Sequence, residues 1–305
     1  MQNVYGTIIC SSYVRIRINL FSTVLFGGQF IALNAYQGKN GKSFHSILLF
    51  CSIFSLTGAF VFLALNGFRI SFSWYTLMYA AIAAVIQIGL QIAGIIALSM
   101  GRVEIYTLFN VAGGMGVAYI FGITYFHEEI KVAHIIGVTL VLIALLVPVI
   151  FDRKSQQKSH ILFWIMCILV FLSNGLFGSI NKIHIVSGEG LSIKEYMFYM
   201  YSCIFLISSI SFGVMALFKK DTTRALFNPW ALLFVFIYGM VNSVGMFLQY
   251  SYADKVPASI LFPLSNGGAL LFGLIIGCIA YRKKPTIPDL IQMSIALVGM
   301  VLFII

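Results

Sequence analysis

The chain has 305 residues, 60% of them apolar and 9% charged, with a formal net charge of +10 and a mean hydropathy of +0.99. Soluble domains carry roughly a quarter charged residues, so composition excludes a soluble enzyme and argues against a nucleic-acid-binding domain. The basic excess gathers in short connections, such as Lys219, Lys220 and Arg224 or Arg282, Lys283 and Lys284, where it serves as an anchor to anionic headgroups.

The apolar runs are continuous rather than alternating, which predicts helices and not a barrel. At about 20 apolar residues per crossing, ten spans are expected. The first, 18–36, follows Arg15 and Arg17, a pair that resembles the start of a signal peptide. The run is too long for a signal core and no small-x-small cleavage site follows, so it is expected to remain as a span. It carries Gln29 and Asn34. The turn after it, "YQGKNGKS" at 36–43, nearly matches a phosphate-binding loop, but Tyr36 stands where the first Gly is required. Gly41 therefore reads as a turn residue.

Span two, 46–65, has no amide. Span three, 74–100, carries Gln87 and Gln91, one turn apart on one face. Span four, 105–126, carries Tyr106, Thr107 and Asn110 and then a run rich in Gly, with Arg102 and Glu104 at its start. Span five, 132–151, follows "HEEIK", which begins like a zinc-protease motif but has Lys131 where the second His belongs. Span six, 161–180, carries Asn174, with Asn181 and Lys182 just past its end; span seven, 196–218, has no amide. Span eight, 229–252, holds Asn242 and Gln249. Span nine, 257–281, holds Pro263, Ser265, Asn266 and the small-residue pair Gly273 and Gly277. Span ten, 287–305, offers Gln292 near its edge. The five cysteines are dispersed and odd in number, so no disulfide, metal site or cofactor is expected.

The second half overlies the first. "GGQFIALN" (27–34) falls on "NGLFGSIN" (174–181), Trp74 on Trp230, "RVEIYTLF" (102–109) on "KVPASILF" (255–262) and Gly114 on Gly267, with offsets of 147 to 156. The predicted fold is all-α integral membrane, ten transmembrane helices as two inverted five-helix repeats, 1–152 and 153–305. An odd number of spans per copy turns the second copy upside down.

Spans four and five join through "YFHEEIKVAHIIGVTLVLIA", which resembles the EamA-type half of the drug/metabolite transporter superfamily. Glu128 and Gly137 match its pattern, as do Thr286, Asp289, Leu290 and Gly299 in the second copy. Lys283 and Gln292 depart from it at the Glu and Gly positions, and Ala144 replaces a Gly. The resemblance implies a carrier that moves a small organic solute without ATP, its central cavity lined by spans one, three, four, six, eight and nine.

Those are the spans that hold the buried amides, which are costly in lipid unless they face a partner or a wet cavity. The expected solute-binding set is Gln29, Asn34, Gln87, Gln91, Tyr106, Asn110, Asn174, Asn181, Asn242, Gln249, Ser265 and Asn266. The competing role, hydrogen bonding between helices, is worth about 0.6 to 2 kcal/mol each. No carboxylate lies at mid-depth; Glu104 is the coupling candidate. The expected function is a secondary-active carrier, read as an exporter, for a neutral, zwitterionic or aromatic metabolite or drug, with no enzymatic step. A lipid or lipid-linked-sugar flippase of the same fold, or a membrane-embedded enzyme, is the alternative. The expected partners are a small solute and membrane lipid, without nucleic acid, the chain being a monomer or weak dimer in a plasma membrane, the bacterial inner membrane. With the N-terminus inside, Lys and Arg number 7 inner to 12 outer, which favours termini outside; the resemblance and the Arg15–Arg17 pair favour termini inside.

Overall fold

The computed structural model describes residues 2–41, 43–100, 103–129, 131–151, 161–218, 226–282 and 284–302, with the side chains of 2–17, 103 and 104 outside that description. The coupling candidate Glu104 thus falls outside the described side chains. So do Arg15 and Arg17, while Lys42, Arg102, Lys219, Lys220, Arg224 and Lys283 lie outside the described residues. The principal elements among the described residues are ten helices: α1 (Gln2–Asn40), α2 (Phe44–Leu65), α3 (Trp74–Met100), α4 (Val103–Thr124), α5 (Val132–Phe151), α6 (Ile161–Val186), α7 (Ile193–Phe218), α8 (Pro229–Tyr250), α9 (Ala258–Ala280) and α10 (Ile287–Val301). Nine are long and apolar enough to cross a membrane and α10 is a shorter apolar helix, which makes this a multi-span helical membrane protein.

Local chemistry sets the ends. Ser43, the last residue of the near-miss phosphate motif, is the N-cap of α2, its hydroxyl accepting from Ser46 N at 3.1 Å. Gly41 and Gly188 both turn the chain with positive φ, 71° and 70°. Thr286 and Asp289 form a capping box at the start of α10, which explains both residues without a ligand. Helix α6 runs six residues past the predicted end of its span, to Val186, because no Gly or Pro interrupts "NKIHIV".

Helix α1 packs on α8 and α9, and α6 on α3 and α4; α2 lies against α7 and α8, α3 against α7, α4 against α9, and α5 against α10. Several crossings are so close that backbone meets backbone. A Cβ on Gly27 would come 2.7 Å from Gly273 N, on Gly113 2.1 Å from Phe171 O, and on Gly299 2.9 Å from Gly137 O. These helices have small residues where they touch, as lipid-embedded bundles require. Elsewhere rings fill the core: Phe54 of α2 sets its edge against Tyr201 and Tyr238 at 6.2 and 5.8 Å, and Gly58 leaves room for the Tyr201 ring.

Candidate functional site

Seven helices, α1, α2, α3, α4, α6, α8 and α9, surround a central chamber of about 240 Å³. Ten of the twelve residues expected from the sequence line it. Helix α1 supplies Gln29, α3 supplies Gln87 and Gln91, and α4 supplies Tyr106 and Asn110; α6 adds Asn174, α8 adds Asn242 and Gln249, and α9 adds Ser265 and Asn266. The shared face of Gln87 and Gln91, four residues apart, is the face that α3 turns to the chamber.

Two expected residues lie elsewhere. Asn34 is exposed and is absent from the chamber lining, because the face of α1 that carries Gln29 and Leu33 has rotated past it. Asn181 is fully buried beyond the chamber, where Tyr196 Oη donates to its Oδ1 at 2.5 Å and its own Nδ2 donates to Tyr250 Oη at 3.3 Å. It is a brace between α6, α7 and α8. Pro263 is buried inside a continuous α9 and does not line the chamber either.

Apart from Tyr106, sequence reading missed the aromatic share of the wall. Eight rings stand beside eight amides, among them Phe26 and Phe30 of α1, Phe50 of α2, Phe177 of α6 and Tyr238 of α8. A Phe within an apolar span carries no mark of whether it faces lipid or cavity. The repeat expected from the sequence pairs Phe30 with Phe177, and both line the chamber.

The lining divides into groups that brace helices and groups that are free. Asn242 is held on both sides, its Oδ1 accepting from Tyr201 Oη at 2.6 Å and its Nδ2 donating to Gln29 Oε1 at 2.9 Å. Asn174 Nδ2 donates to Asn110 O at 2.7 Å, and Asn266 Nδ2 to Phe262 O at 2.9 Å. Gly114 lies between the last two amides, where a Cβ would come 2.7 Å from Asn174 Nδ2 and from Asn266 Oδ1. By contrast, Gln87 Oε1 and Ser265 Oγ are buried without a hydrogen-bond partner among the described residues. Buried oxygens of that kind are ordinarily satisfied by an ordered water or a bound molecule.

Among the described residues lining the chamber none is Asp, Glu, Lys, Arg or His. A full charge taken from water into such a place without a partner costs several kcal/mol even after relaxation, against about 0.5 to 2 kcal/mol returned by a ring face to a cation. Among the described residues no group of three or more His, Cys, Asp and Glu is placed to hold a metal ion.

The two ends of the chamber differ. Toward the end where α1 finishes and α2 begins, a smaller hollow of about 60 Å³ continues from it, sharing Leu33, Phe50, Gln91 and Tyr106 and reaching Tyr36, Gln37 and Leu98. The opposite end, where α6 finishes and α9 begins, is packed shut. There the Tyr196–Asn181–Tyr250 chain is followed by Lys182, whose ammonium lies over the Phe126 ring at 4.9 Å and donates to Glu128. Glu128 in turn caps α9, accepting from Ser259 N at 2.8 Å and from Ala258 N. Burial by itself raises the Glu128 carboxyl, but the N–H of Ser259, the Lys182 charge and the N–H of Ala258 outweigh it and hold the group below its ordinary value of 4.5. Gly122 leaves space for this carboxylate, since a Cβ there would meet Glu128 Oε2 at 2.7 Å.

No family model and no curated protein matches the chain. A solved structure described as a crystal structure of a protein is similar at a TM-score of 0.72 and 13% identity, over 95% of this chain and 96% of that one. At that identity the likeness shows the fold alone, and the description names no activity.

Proposed function

We propose that the chain is a secondary-active carrier of a small organic solute, neutral, zwitterionic or aromatic, built as two inverted five-helix repeats of the EamA type and working by alternating access. The observation that carries this reading is a polar chamber enclosed by seven membrane-crossing helices, hollow toward one end and packed shut at the other. A site at mid-bundle with unequal ends is what a carrier caught on one side of its cycle presents.

The repeat reading is supported by the packing itself. If each helix is replaced by the one five places away, the extensive pairings reproduce one another: α1 with α8 becomes α6 with α3, α1 with α9 becomes α6 with α4, and α2 with α8 becomes α7 with α3. The pairs α2–α7, α4–α9 and α5–α10 map onto themselves. Inversion is supported by the ends, since α1 finishes near Leu226, which its Asn40 touches, whereas α6 finishes near the start of α9, beside Glu128. Gly137 of the first half and Gly299 of the second, which fill different positions of the EamA pattern, meet where α5 crosses α10. The chamber volume is below the roughly 300–1,000 Å³ of pockets for drug-sized ligands, which favours a metabolite over a drug. The remainder of the reading places the carrier in a plasma membrane, the bacterial inner membrane, as a monomer or weak dimer without an enzymatic step.

Solute counterflow in proteoliposomes tests it. Exchange of a labelled solute against the same unlabelled solute, without nucleotide, is expected; chemical turnover of the solute in place of exchange would replace the carrier with an enzyme.

A further inference from the structure

We infer that the chamber takes an uncharged, ring-sized solute whose N–H or O–H groups meet Gln87 Oε1 and Ser265 Oγ, an inference that rests on the carrier reading and narrows its solute from neutral, zwitterionic or aromatic to neutral.

Three observations carry it. Among the described residues no ionic side chain lines the chamber, and Lys182 and Glu128 at its closed end are occupied by each other and by the start of α9. A carrier can bind ions without side-chain charges when broken helices aim their termini at the site, but the helices that line this chamber run through it unbroken, α9 included, despite Pro263. Ring faces remain as a partner for an ammonium, and they return less than its dehydration costs. Neither half of a zwitterion therefore finds a counter-charge among the described residues that line the chamber.

What the chamber does offer is neutral hydrogen bonding. Ser265 is 4% exposed and its hydroxyl lacks even the bond to its own helix that Ser179 and Ser243 make to the carbonyl four residues back. Gln87 Oε1 is likewise unpartnered. Both oxygens accept from a solute donor, and the Ser265 proton is left to give to a solute carbonyl or ring nitrogen. The aromatic wall covers the rest of a flat ring.

Four pyridine probes of nearly one shape separate the alternatives: nicotinamide is neutral, nicotinate anionic, 1-methylnicotinamide cationic and 1-methylnicotinate zwitterionic. Thermal shift of the purified full chain at matched millimolar concentrations reads their binding. Nicotinamide is expected to bind about tenfold or more tightly than any of the charged three. In Ser265→Ala combined with Gln87→Leu its shift disappears while the melting temperature of the solute-free protein stays put, because neither side chain makes a bond there. An equal or larger shift from a charged or zwitterionic probe overturns the inference, and so does a flat response to all four. Counterflow of the zwitterion would keep the carrier and remove neutrality, whereas nicotinamide binding without counterflow would keep the neutral chamber and remove the carrier.

Discussion

The Lys182 ammonium donates to Glu128 Oε1 at 3.1 Å and to Val256 O at 2.7 Å, so one cation ties α6 to the α4–α5 connection and to the entry of α9. The two side chains are 4% and 11% exposed. A pair so buried is worth little against an apolar substitute, but removing one member strands the other. Lys182→Met or Glu128→Gln is expected to cost about 3 kcal/mol, and the double variant less than the two losses added. Thermal or denaturant unfolding in detergent measures this, and strictly additive losses would show that the residues do not act as a pair.

The same carboxylate makes that contribution depend on acid. Its value in the closed structure lies below 4.5, so the stabilisation is whole above 4.5 and is lost as pH falls from there through the lower folded value. Wild type is therefore expected to lose its melting-temperature advantage over Glu128→Gln as pH falls below that point. An advantage that grows with acid would reverse the sign and point to another group.

Two adjacent glycines on α4 separate folding from function. Gly113→Ala drives a Cβ to 2.1 Å from the backbone oxygen of Phe171, which nothing short of parting α4 from α6 relieves. It is expected to lower expression and stability. Gly114→Ala meets only the ends of Asn174 and Asn266, at 2.7 Å, and those amides rotate away into the chamber. Its expected outcome is a folded protein with solute exchange reduced at least several-fold, read by counterflow alongside a melting curve.

The free and the bracing amides make a further contrast. Gln87→Ala with Gln91→Ala removes side chains that bond to no other described residue, so solute preference is expected to change while the fold persists. Tyr201→Phe deletes the donor to Asn242 Oδ1 and is expected to cost about 1 kcal/mol of stability. Parallel melting curves and uptake profiles check both; unaltered uptake of every solute tried with the double glutamine variant would remove those two from the site.

Composition and run length alone make the helices legible, most ends to within a few residues, because lipid permits so few alternatives; the exceptions are α1, which begins at Gln2 rather than at 18, and α6, which ends at Val186 rather than at 180. The amides gathered in the chamber were legible for the same reason: a side-chain amide in hydrocarbon must find a partner or a cavity. That reasoning could not choose between the two destinations, which is why Asn181 was placed in the chamber although it serves as a brace, and Asn34 although it is exposed. Neither Glu128 nor Lys182 was recognised as half of a pair, since 54 residues and an interhelical contact separate them. The aromatic lining stayed hidden because Phe50 and a lipid-facing Phe look alike in sequence, and helical facing is a property of the packed bundle.

At Gly27 against Gly273 and at Gly113 against Phe171 the crossings of α1 with α9 and of α4 with α6 put backbone against backbone, flanked within the same crossings by side chains seated on glycine, Thr23 on Gly268 and Val117 on Gly175. Meshed ridges must lift over one another before a crossing angle changes; bare contacts present no such teeth. On the proposed carrier reading these two places are the natural pivots of the molecule, about which a scissoring motion would exchange which mouth stands open while the solute stays where it is.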